Sequence, residues 1–373
     1  MRIGIDCRFW GETGIGRYIR NVVFNLAEID KDNTYVLFLL SKDFDSIKLP
    51  NNFNKVKADI HWHTFTEQIF MPLIFLKENL DMLHIPQANF PIFYPKKTVF
   101  TVHDLTPLRF MTGRVTTLPY VFYLIKNLGL RIALVVGLWR SKYVFTVTNY
   151  VKNDLIKTFN INPDKILLTP CAVDDKFKTL VGESSSGVLE KYGITKPYLF
   201  YVGNAHPHKN LERLVSAFEI VSLKYPDLNL VLGGNKKFFY ERLETEFNKK
   251  DISRKVIMPG FIDDADLPFL YINAEAFVNP SLSEGFGIQI LEAYSCGAKV
   301  VCSNAGSLPE VGGDAAYYFN PTDVNNMAEV ILNALEDSTA DGKRRELGFE
   351  LTKKYDWRKT TKVILNTYEK YNK

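Results

Sequence analysis

Hydrophobic residues along the chain follow two alternating patterns. Short runs of β-branched and aromatic residues are separated by longer segments in which apolar residues recur at helical spacing. The predicted strands are RIGIDC, TYVLFLL, DMLHIP, TVFTVHD, KYVFTVT and KILLTP in the first half, and YLFYVG, LNLVLGG, KVIMPGF, EAFVNP, AKVVCS and AAYYF in the second. Strands that alternate with helices are typical of parallel sheets covered by helices. The pattern predicts an α/β protein with two doubly wound, Rossmann-like domains that face each other across a cleft.

A polar stretch separates the two series of strands. Residues 173–197 contain a serine triplet and show no sustained periodicity, which indicates a linker. We therefore predict an N-terminal domain at 1–175, a linker at 176–197 and a C-terminal domain at 198–355. Residues 356–373 have the pattern of an amphipathic helix. The length of 373 residues supports two domains, because one core usually organises fewer.

Composition and charge narrow the classes of partner. The chain is 46% hydrophobic and 24% charged, as in an ordinary globular protein, and its net charge of +4 is spread along the sequence. This spread argues against nucleic acid as the main partner but allows small anions or an anionic membrane surface. Four cysteines without a C-x-x-C motif suit a reducing compartment. The N-terminus begins with a strand and has no signal peptide pattern, so we expect a cytoplasmic protein.

The most hydrophobic stretch of the sequence is residues 118–139. Lys126 and Arg131 interrupt it, so each uncharged run is shorter than the ~18 to 20 residues of a membrane-spanning helix. Two interpretations remain. The stretch is a buried helix, or it is a helix that lies on a bilayer and gives the protein a peripheral contact with the inner membrane face.

In doubly wound sheets, ligands bind outside the carboxyl ends of the strands. The first predicted strand leads into Gly14 and Gly16, which allow a backbone to approach a phosphate or simply form a tight turn. A dinucleotide-binding loop would need glycine where Ile19 stands. His103 follows another strand and is a candidate for hydrogen bonding or proton transfer near neutral pH.

The second half holds two further candidates. Lys209 lies beside a predicted helix start, where the helix dipole favours negative charge, so its position suggests a bound anion. The stretch SEGFGIQILE places Glu284 and Glu292 around Gly285 and Gly287. We predict that Gly285 to Gly287 open a helix, with Glu284 just before it and Glu292 two turns inside, so that eight helical residues span ~12 Å. The two carboxylates could then accept hydroxyl hydrogen bonds at the two ends of one ligand.

No metal site is predicted. The H-x-H pairs, at residues 61–63 and 206–208, lack a third ligand at a recognisable spacing. The D-x-D pairs, at 43–45 and 264–266, do not end buried strands. We therefore expect neither a metal nor another cofactor.

The order of these motifs resembles a known family. The central motif is an E-x(7)-E element, EGFGIQILE, which is followed by a strand and by SNAGSLPEVGG. Three motifs precede it: RFWGETGIGRYIRN, TVHDLTP and VGNAHPHKN. The last motif is YDWRKTTKVILNTYEKY. This order is similar to that of the retaining glycosyltransferases of family 4, also called glycosyl transferases group 1, and in particular to bacterial O-antigen mannosyltransferases. The resemblance covers essentially the whole chain. It implies the GT-B fold, with the last helix packed back on the first domain.

The resemblance also implies roles for individual residues. Glu292 would bind the ribose of a nucleotide-sugar donor, and Glu284 would hold the transferred hexose. Lys209 would neutralise the donor diphosphate, and His103 would contact the sugar. The implied catalytic residues are thus His103, Glu284 and Lys209. The implied donor-binding residues are Gly14, Gly16, Asn204, Lys209, Ile262, Glu284, Gly285, Phe286, Gly287, Ile288 and Glu292.

One departure from the family pattern concerns the diphosphate. Many members carry arginine five residues before the lysine, where this chain has Asn204. His208 or helix amides would have to compensate, or turnover would be slow. The resemblance implies transfer of a hexose from a nucleotide donor, GDP-mannose before UDP-hexoses, to an oligosaccharide or lipid-linked acceptor. A nucleotide-sugar epimerase of the same fold and a non-catalytic sugar-nucleotide-binding protein are the alternatives.

Overall fold

The computed structural model describes residues 1–110, 120–177, 186–247, 251–337 and 341–372. These residues form two compact units. Unit 1 contains Met1–Cys171 and Asp356–Lys373, and unit 2 contains Ala172–Tyr355. Residues 118–119 of the hydrophobic stretch, 178–185 of the predicted linker and residue 373 of the predicted last helix lie outside the described residues.

Unit 1 is built on a parallel sheet. Its strands are β1 (Arg2–Asp6), β2 (Thr34–Leu39), β3 (Phe53–Lys57), β4 (Met82–Ile85), β5 (Thr98–Val102), β6 (Tyr143–Thr146) and β7 (Ile166–Leu168). They lie in the order β3-β2-β1-β4-β5-β6-β7. The central strands are buried along almost their whole length, as expected where helices cover both faces of a sheet.

Unit 2 has a second parallel sheet. Its strands are β8 (Tyr198–Val202), β9 (Asn229–Gly233), β10 (Val256–Gly260), β11 (Ala276–Asn279), β12 (Val300–Ser303) and β13 (Tyr317–Phe319). Their order, β10-β9-β8-β11-β12-β13, is that of a dinucleotide-binding Rossmann sheet, with the switch point between β8 and β11.

The helices alternate with these strands. Those of unit 1 are α1 (Ile15–Ile29), α2 (Ser41–Phe44), α3 (Phe65–Lys77), α4 (Thr106–Arg109), α5 (Tyr120–Arg140) and α6 (Asn149–Phe159). Those of unit 2 are α7 (Ser186–Lys191), α8 (Leu211–Lys224), α9 (Phe238–Phe247), α10 (Leu267–Asn273), α11 (Ile288–Ser295), α12 (Leu308–Gly312), α13 (Val324–Glu336) and α14 (Asp341–Lys353). The last helix, α15 (Trp357–Asn372), belongs to unit 1.

All of the predicted strands are present, and the predicted class of two Rossmann-like α/β domains is confirmed. The prediction missed β3, whose sequence FNKVK carries two lysines. This strand pairs only with β2, at the edge of the sheet, where polar side chains are tolerated. Its hydrophobic signal is therefore weaker than that of the buried strands.

Helix α15 is joined to the sheet of unit 1 by polar contacts in the core. The imidazole of His84, in β4, is fully buried, with Nδ1 2.6 Å from the Tyr368 hydroxyl and Nε2 2.7 Å from the Thr101 hydroxyl. Burial lowers the pKa of His84 to about 3, so the ring is neutral near pH 7. At the start of the helix, Trp357 packs edge-on against Tyr18 of α1.

Candidate functional site

Two of the candidate residues in unit 2 form a buried ion pair. Lys209 Nζ donates to Glu284 Oε1 at 2.6 Å, and the Ser281 hydroxyl donates to the same oxygen at 2.7 Å. The two charged side chains are only 11% and 12% exposed. Burial acts to raise the pKa of Glu284, but the charge and hydrogen bond of Lys209 and the hydrogen bond of Ser281 outweigh it and lower that pKa. Glu284 is therefore a carboxylate at neutral pH.

The loops that carry this pair are fastened to each other. The Leu282 amide donates to the His208 carbonyl at 2.7 Å. Asn210 stands in the left-handed conformation and donates through Nδ2 to the carbonyls of Pro280 and Pro321. The loops that follow β8, β11 and β13 are thus tied together, and β8 and β11 flank the switch point of the sheet. This arrangement fixes the distance between Lys209 and Glu284.

The stretch after Glu284 differs from the expectation in one respect. Helix α11 begins at Ile288, so the prediction that Gly285 to Gly287 open the helix is wrong. Gly287 precedes the helix with φ 84°, a left-handed conformation that glycine adopts at little cost. Only the last five residues of the interval from Glu284 to Glu292 are helical, a rise of about 6 to 8 Å, and the estimate of ~12 Å does not apply.

The start of α11 has the features of an anion-binding helix terminus. Among the described residues no side chain caps the helix, and of the first-turn amides that of Ile290 donates to the Gly287 carbonyl at 3.0 Å. Amides at a helix start carry a partial positive charge and favour a phosphate. Phe286 is buried, with its ring against that of Tyr355, and Ile288 is partly exposed.

The SNAGSLPEVGG motif supports the backbone of this loop. Ser307 Oγ donates to the Glu284 carbonyl at 3.0 Å. Gly306 has φ 67°, and a Cβ there would lie 2.9 Å from the Glu284 amide nitrogen. A Cβ on Gly287 would lie 2.6 Å from Leu308 Cδ2. The glycines of the two motifs therefore let two loops approach each other closely. The sequence reasoning missed that Ser281, Gly306 and Ser307 support Glu284.

Glu292 lies on the buried face of α11. Its side chain is 2% exposed, and the Tyr271 hydroxyl donates to Oε2 at 2.9 Å. Glu292 is therefore not a solvated surface residue. Its role toward a ribose stays a prediction.

The position of the missing arginine is exposed. Asn204 lies after β8 and accepts a hydrogen bond from the His206 amide through Oδ1 at 3.3 Å. Burial, and then the charge of Lys209, lower the pKa of His208 to about 4. His208 is therefore neutral at pH 7 and does not replace the positive charge of an arginine. Ile262 is buried and packs at Gly233, at the end of β9, while the preceding Phe261 is exposed.

The other candidates lie in unit 1. Gly14 caps α1 with φ 46° and has open space around the position of a Cβ, so its backbone is accessible. A Cβ on Gly16 would lie 2.4 Å from the Phe9 carbonyl oxygen, so this glycine is required by a tight turn. His103 follows β5, is partly exposed and stacks edge-on against Tyr18 at 4.8 Å.

A buried cluster of charged side chains lies beside β1. No sequence motif had indicated this cluster. Arg8 donates to both carboxylate oxygens of Asp6, at 2.9 and 2.7 Å, and to Glu67 Oε1 at 2.6 Å. All three side chains are at most 2% exposed. In GIDCRF, Asp6 and Arg8 alternate with apolar residues. This alternation was the sequence signal that could have indicated the cluster.

Within the described ranges, no group of three His, Cys, Asp or Glu side chains is placed to hold a metal ion. The same ranges contain no helix that combines the length and the apolar character needed to cross a membrane.

Known proteins resemble the chain over its whole length. The family model for Glycosyltransferase Family 4 matches residues 13–177, and that for Glycosyl transferases group 1 matches residues 189–351. The O-antigen chain mannosyltransferase B of Escherichia coli is 30% identical over 378 residues, covering 96% of each chain.

Solved structures agree with this likeness at the level of the fold. A glycosyltransferase from Rickettsia africae superposes with a TM-score of 0.75 at 18% identity, over 100% of this chain and 98% of that one. Anabaena Alr3699/HepE, solved in complex with UDP and glucose, gives a TM-score of 0.78 at 15% identity, over 99% and 100%. The predicted GT-B fold is confirmed, and these relatives give no support to the epimerase alternative.

Proposed function

Because the chain belongs to the glycosyltransferases of family 4 and group 1, we propose that it transfers mannose from a nucleotide-diphosphate donor to a glycan acceptor in surface polysaccharide biosynthesis. The choice of mannose rests on the name of the Escherichia coli relative. GDP-mannose is the proposed donor, and a lipid-linked glycan is the proposed acceptor.

The observation that carries this proposal is the buried pair of Lys209 and Glu284 beside the uncapped start of α11. A nucleotide-diphosphate sugar presents a diphosphate, which suits the ammonium group and the helix amides, and sugar hydroxyls, which suit a carboxylate. When a donor binds, the ammonium group of Lys209 interacts with the diphosphate as well as with Glu284. Glu284 then has acceptor capacity for the hydroxyls of the hexose.

The proposed mechanism follows from the charges that develop as the donor breaks. Cleavage of the glycosyl–diphosphate bond builds positive charge at the anomeric carbon and negative charge on the leaving diphosphate. Fixed cations and amides near the diphosphate stabilise that charge without reorganising. Lys209 and the amides of α11 supply this stabilisation. We propose retention of configuration, with attack on the same face of the sugar and transfer of the acceptor proton to a leaving phosphate oxygen.

A thermal-shift comparison of GDP-mannose with UDP-hexoses tests the donor. A ligand that binds only the folded protein, at about 100 times its Kd, stabilises it by about 2.7 kcal/mol. We expect a concentration-dependent rise in Tm with GDP-mannose that exceeds the rise with any UDP-hexose. An equal or larger response to a UDP-hexose would overturn the choice of GDP-mannose.

The acceptor proposal gains support from apolar side chains that unit 1 exposes. Helix α5 buries one face in the core, yet it exposes Leu128, Ile132 and Trp139. Helix α3 exposes Phe65, Ile69, Phe70 and Leu73. The interpretation of residues 118–139 as a wholly buried helix is therefore wrong for the described part.

A segment between β4 and β5 connects these two helices. Gln68 of α3 donates to the Phe90 carbonyl and accepts from the Ile92 amide, and Arg140 at the end of α5 donates to the carbonyls of Ile92 and Tyr94. Exposed basic residues, Lys126 and Arg131, accompany the apolar side chains of α5. Apolar residues flanked by cations suit the surface of an anionic bilayer, where a lipid-linked acceptor would be held.

Sedimentation with vesicles tests this contact. We expect the protein to bind vesicles containing phosphatidylglycerol more strongly than vesicles of phosphatidylcholine alone, and the variant L128S/I132S to lose most of this binding. The control is Leu223→Ser, which removes an apolar side chain of unit 2 that is 84% exposed. Equal loss of binding in both variants, or none in L128S/I132S, would contradict a specific contact through α5.

A further inference from the structure

The imidazole of His103 is held by a backbone carbonyl. Its Nε2 lies 3.0 Å from the carbonyl oxygen of Pro86, the residue that follows β4. A carbonyl oxygen can only accept a hydrogen bond, so Nε2 carries the proton. Burial lowers the pKa of His103, which keeps the ring neutral near pH 7. In a neutral ring with a proton on Nε2, Nδ1 is an acceptor.

The residue that follows Pro86 in sequence, Gln87, is anchored through its side chain. Gln87 Nε2 donates to Asp6 Oδ2 at 2.9 Å, and the Gln87 side chain is almost completely buried. Asp6 also accepts hydrogen bonds from Nε and one terminal nitrogen of the Arg8 guanidinium, which also binds Glu67. A continuous chain of contacts therefore runs from the buried charge cluster to the peptide between Pro86 and Gln87.

A second restraint acts on the ring plane of His103. The Tyr18 ring meets it edge-on at an interplanar angle of 84°. Tyr18 is fixed by its hydroxyl, which donates to Thr169 Oγ1 at 2.9 Å. With the carbonyl on Nε2 and the tyrosine against the ring, the imidazole has little freedom to flip.

We propose that Gln87 is a positioning residue, which through the Pro86 carbonyl keeps His103 in the Nε2–H tautomer and leaves Nδ1 to accept a hydrogen bond from a substrate hydroxyl. This inference rests on the proposed function for the identity of the substrate. It does not require His103 to exchange a proton with the substrate. The buried cluster of Asp6, Arg8 and Glu67 then serves the site by anchoring Gln87, although none of its side chains is exposed to a ligand.

The tautomer can be observed directly by long-range proton–nitrogen NMR of the full chain labelled with ¹⁵N-histidine, with the His103 signals assigned by their loss in His103→Gln. We expect the wild-type ring to carry its proton on Nε2. In Gln87→Met, which keeps the length of the side chain but removes its hydrogen bond to Asp6, we expect the Nδ1–H form to appear. We also expect kcat of transfer to fall about tenfold, with the KM for the donor nearly unchanged.

The matched control is Asn52→Leu, which removes another side-chain amide of unit 1, one that donates to the backbone carbonyls of Asp30 and Asn33. It should keep the wild-type tautomer and kcat. A wild-type ring protonated on Nδ1 overturns the inference even if Gln87→Met does not fold. Unchanged tautomer and kcat in a folded Gln87→Met also overturn it. If the Nε2–H tautomer is observed but no nucleotide sugar is turned over, the proposed function fails and the assignment of the tautomer remains.

Discussion

Replacing Lys209 by methionine should lower kcat/KM for sugar transfer by about 10³-fold or more. The change keeps the aliphatic part of the side chain and removes the ammonium group that would stabilise the leaving diphosphate. It also leaves Glu284 as a buried carboxylate without its cation, so burial will raise its pKa. Glu284→Ala should be comparably inactive, because it removes the proposed partner of the sugar hydroxyls. Steady-state transfer assays with the donor chosen by thermal shift measure both effects.

The control for Lys209 is Lys299, another buried lysine of unit 2. Lys299 is also 9% exposed, and its ammonium group donates to the carbonyl of Ala334 at the end of α13. Lys299→Met should lower Tm but leave kcat per folded molecule close to that of the wild type. Wild-type activity in Lys209→Met, or an equal loss of activity in both variants, would argue against Lys209 as the diphosphate cation.

Replacing Arg8 by leucine should cause the largest loss of stability among substitutions in unit 1. It leaves two carboxylates, Asp6 and Glu67, buried without a cation, and breaking a buried ion pair in this way costs about 3 to 5 kcal/mol. For a unit of this size, we expect Tm to fall by about 10 °C. Thermal unfolding followed by circular dichroism measures the change. The control is Arg2→Leu, which removes a partly exposed ion pair with Glu78 and should cost less than about 1 kcal/mol.

The stability deficit of the Arg8 variant should also depend on pH. Burial already raises the pKa of Glu67 although Arg8 opposes this effect, and loss of the guanidinium will raise it further. A carboxyl with a raised pKa takes up a proton on folding, so its stabilising contribution is present at low pH and is lost as the pH rises through the folded pKa. The variant should therefore be closest to the wild type below about pH 4. A deficit that stays constant between pH 4 and pH 7 would show that electrostatics do not cause it.

The fold was predictable because its signals are local and repeated. Buried parallel strands require runs such as TYVLFLL and YLFYVG, and each run became a strand. The edge strand β3 was missed since an edge tolerates lysines, as FNKVK shows. The start of α11 was placed too early because Gly285 and Gly287 were taken as the first residues of the helix. Gly287, which ends the loop, has a left-handed φ, and a Cβ there would collide with Leu308, a residue distant in sequence.

Only part of the candidate site could be predicted from the sequence. Lys209 and Glu284 were expected to bind a donor, and the structure shows in addition that they bind each other. Ser281, Gly306 and Ser307 support Glu284 through contacts with its side chain and backbone, and such contacts depend on the folded loops. The link from Asp6 through Gln87 to Pro86 joins residues about 80 positions apart, for which a single sequence contains no signal.

The two units differ in how their residues are distributed along the chain, and therefore in the order in which those residues are synthesised. Unit 2 is one continuous segment, whereas unit 1 takes its last helix from the C-terminal end of the chain. His84, inside the first sheet, cannot contact Tyr368 until the chain has been synthesised through residue 368. A nascent chain therefore leaves the surface that α15 covers in unit 1 without that helix until unit 2 has been synthesised. Loss of the last helix by premature termination would leave that surface uncovered and prone to aggregate, even with every residue of the proposed donor site present.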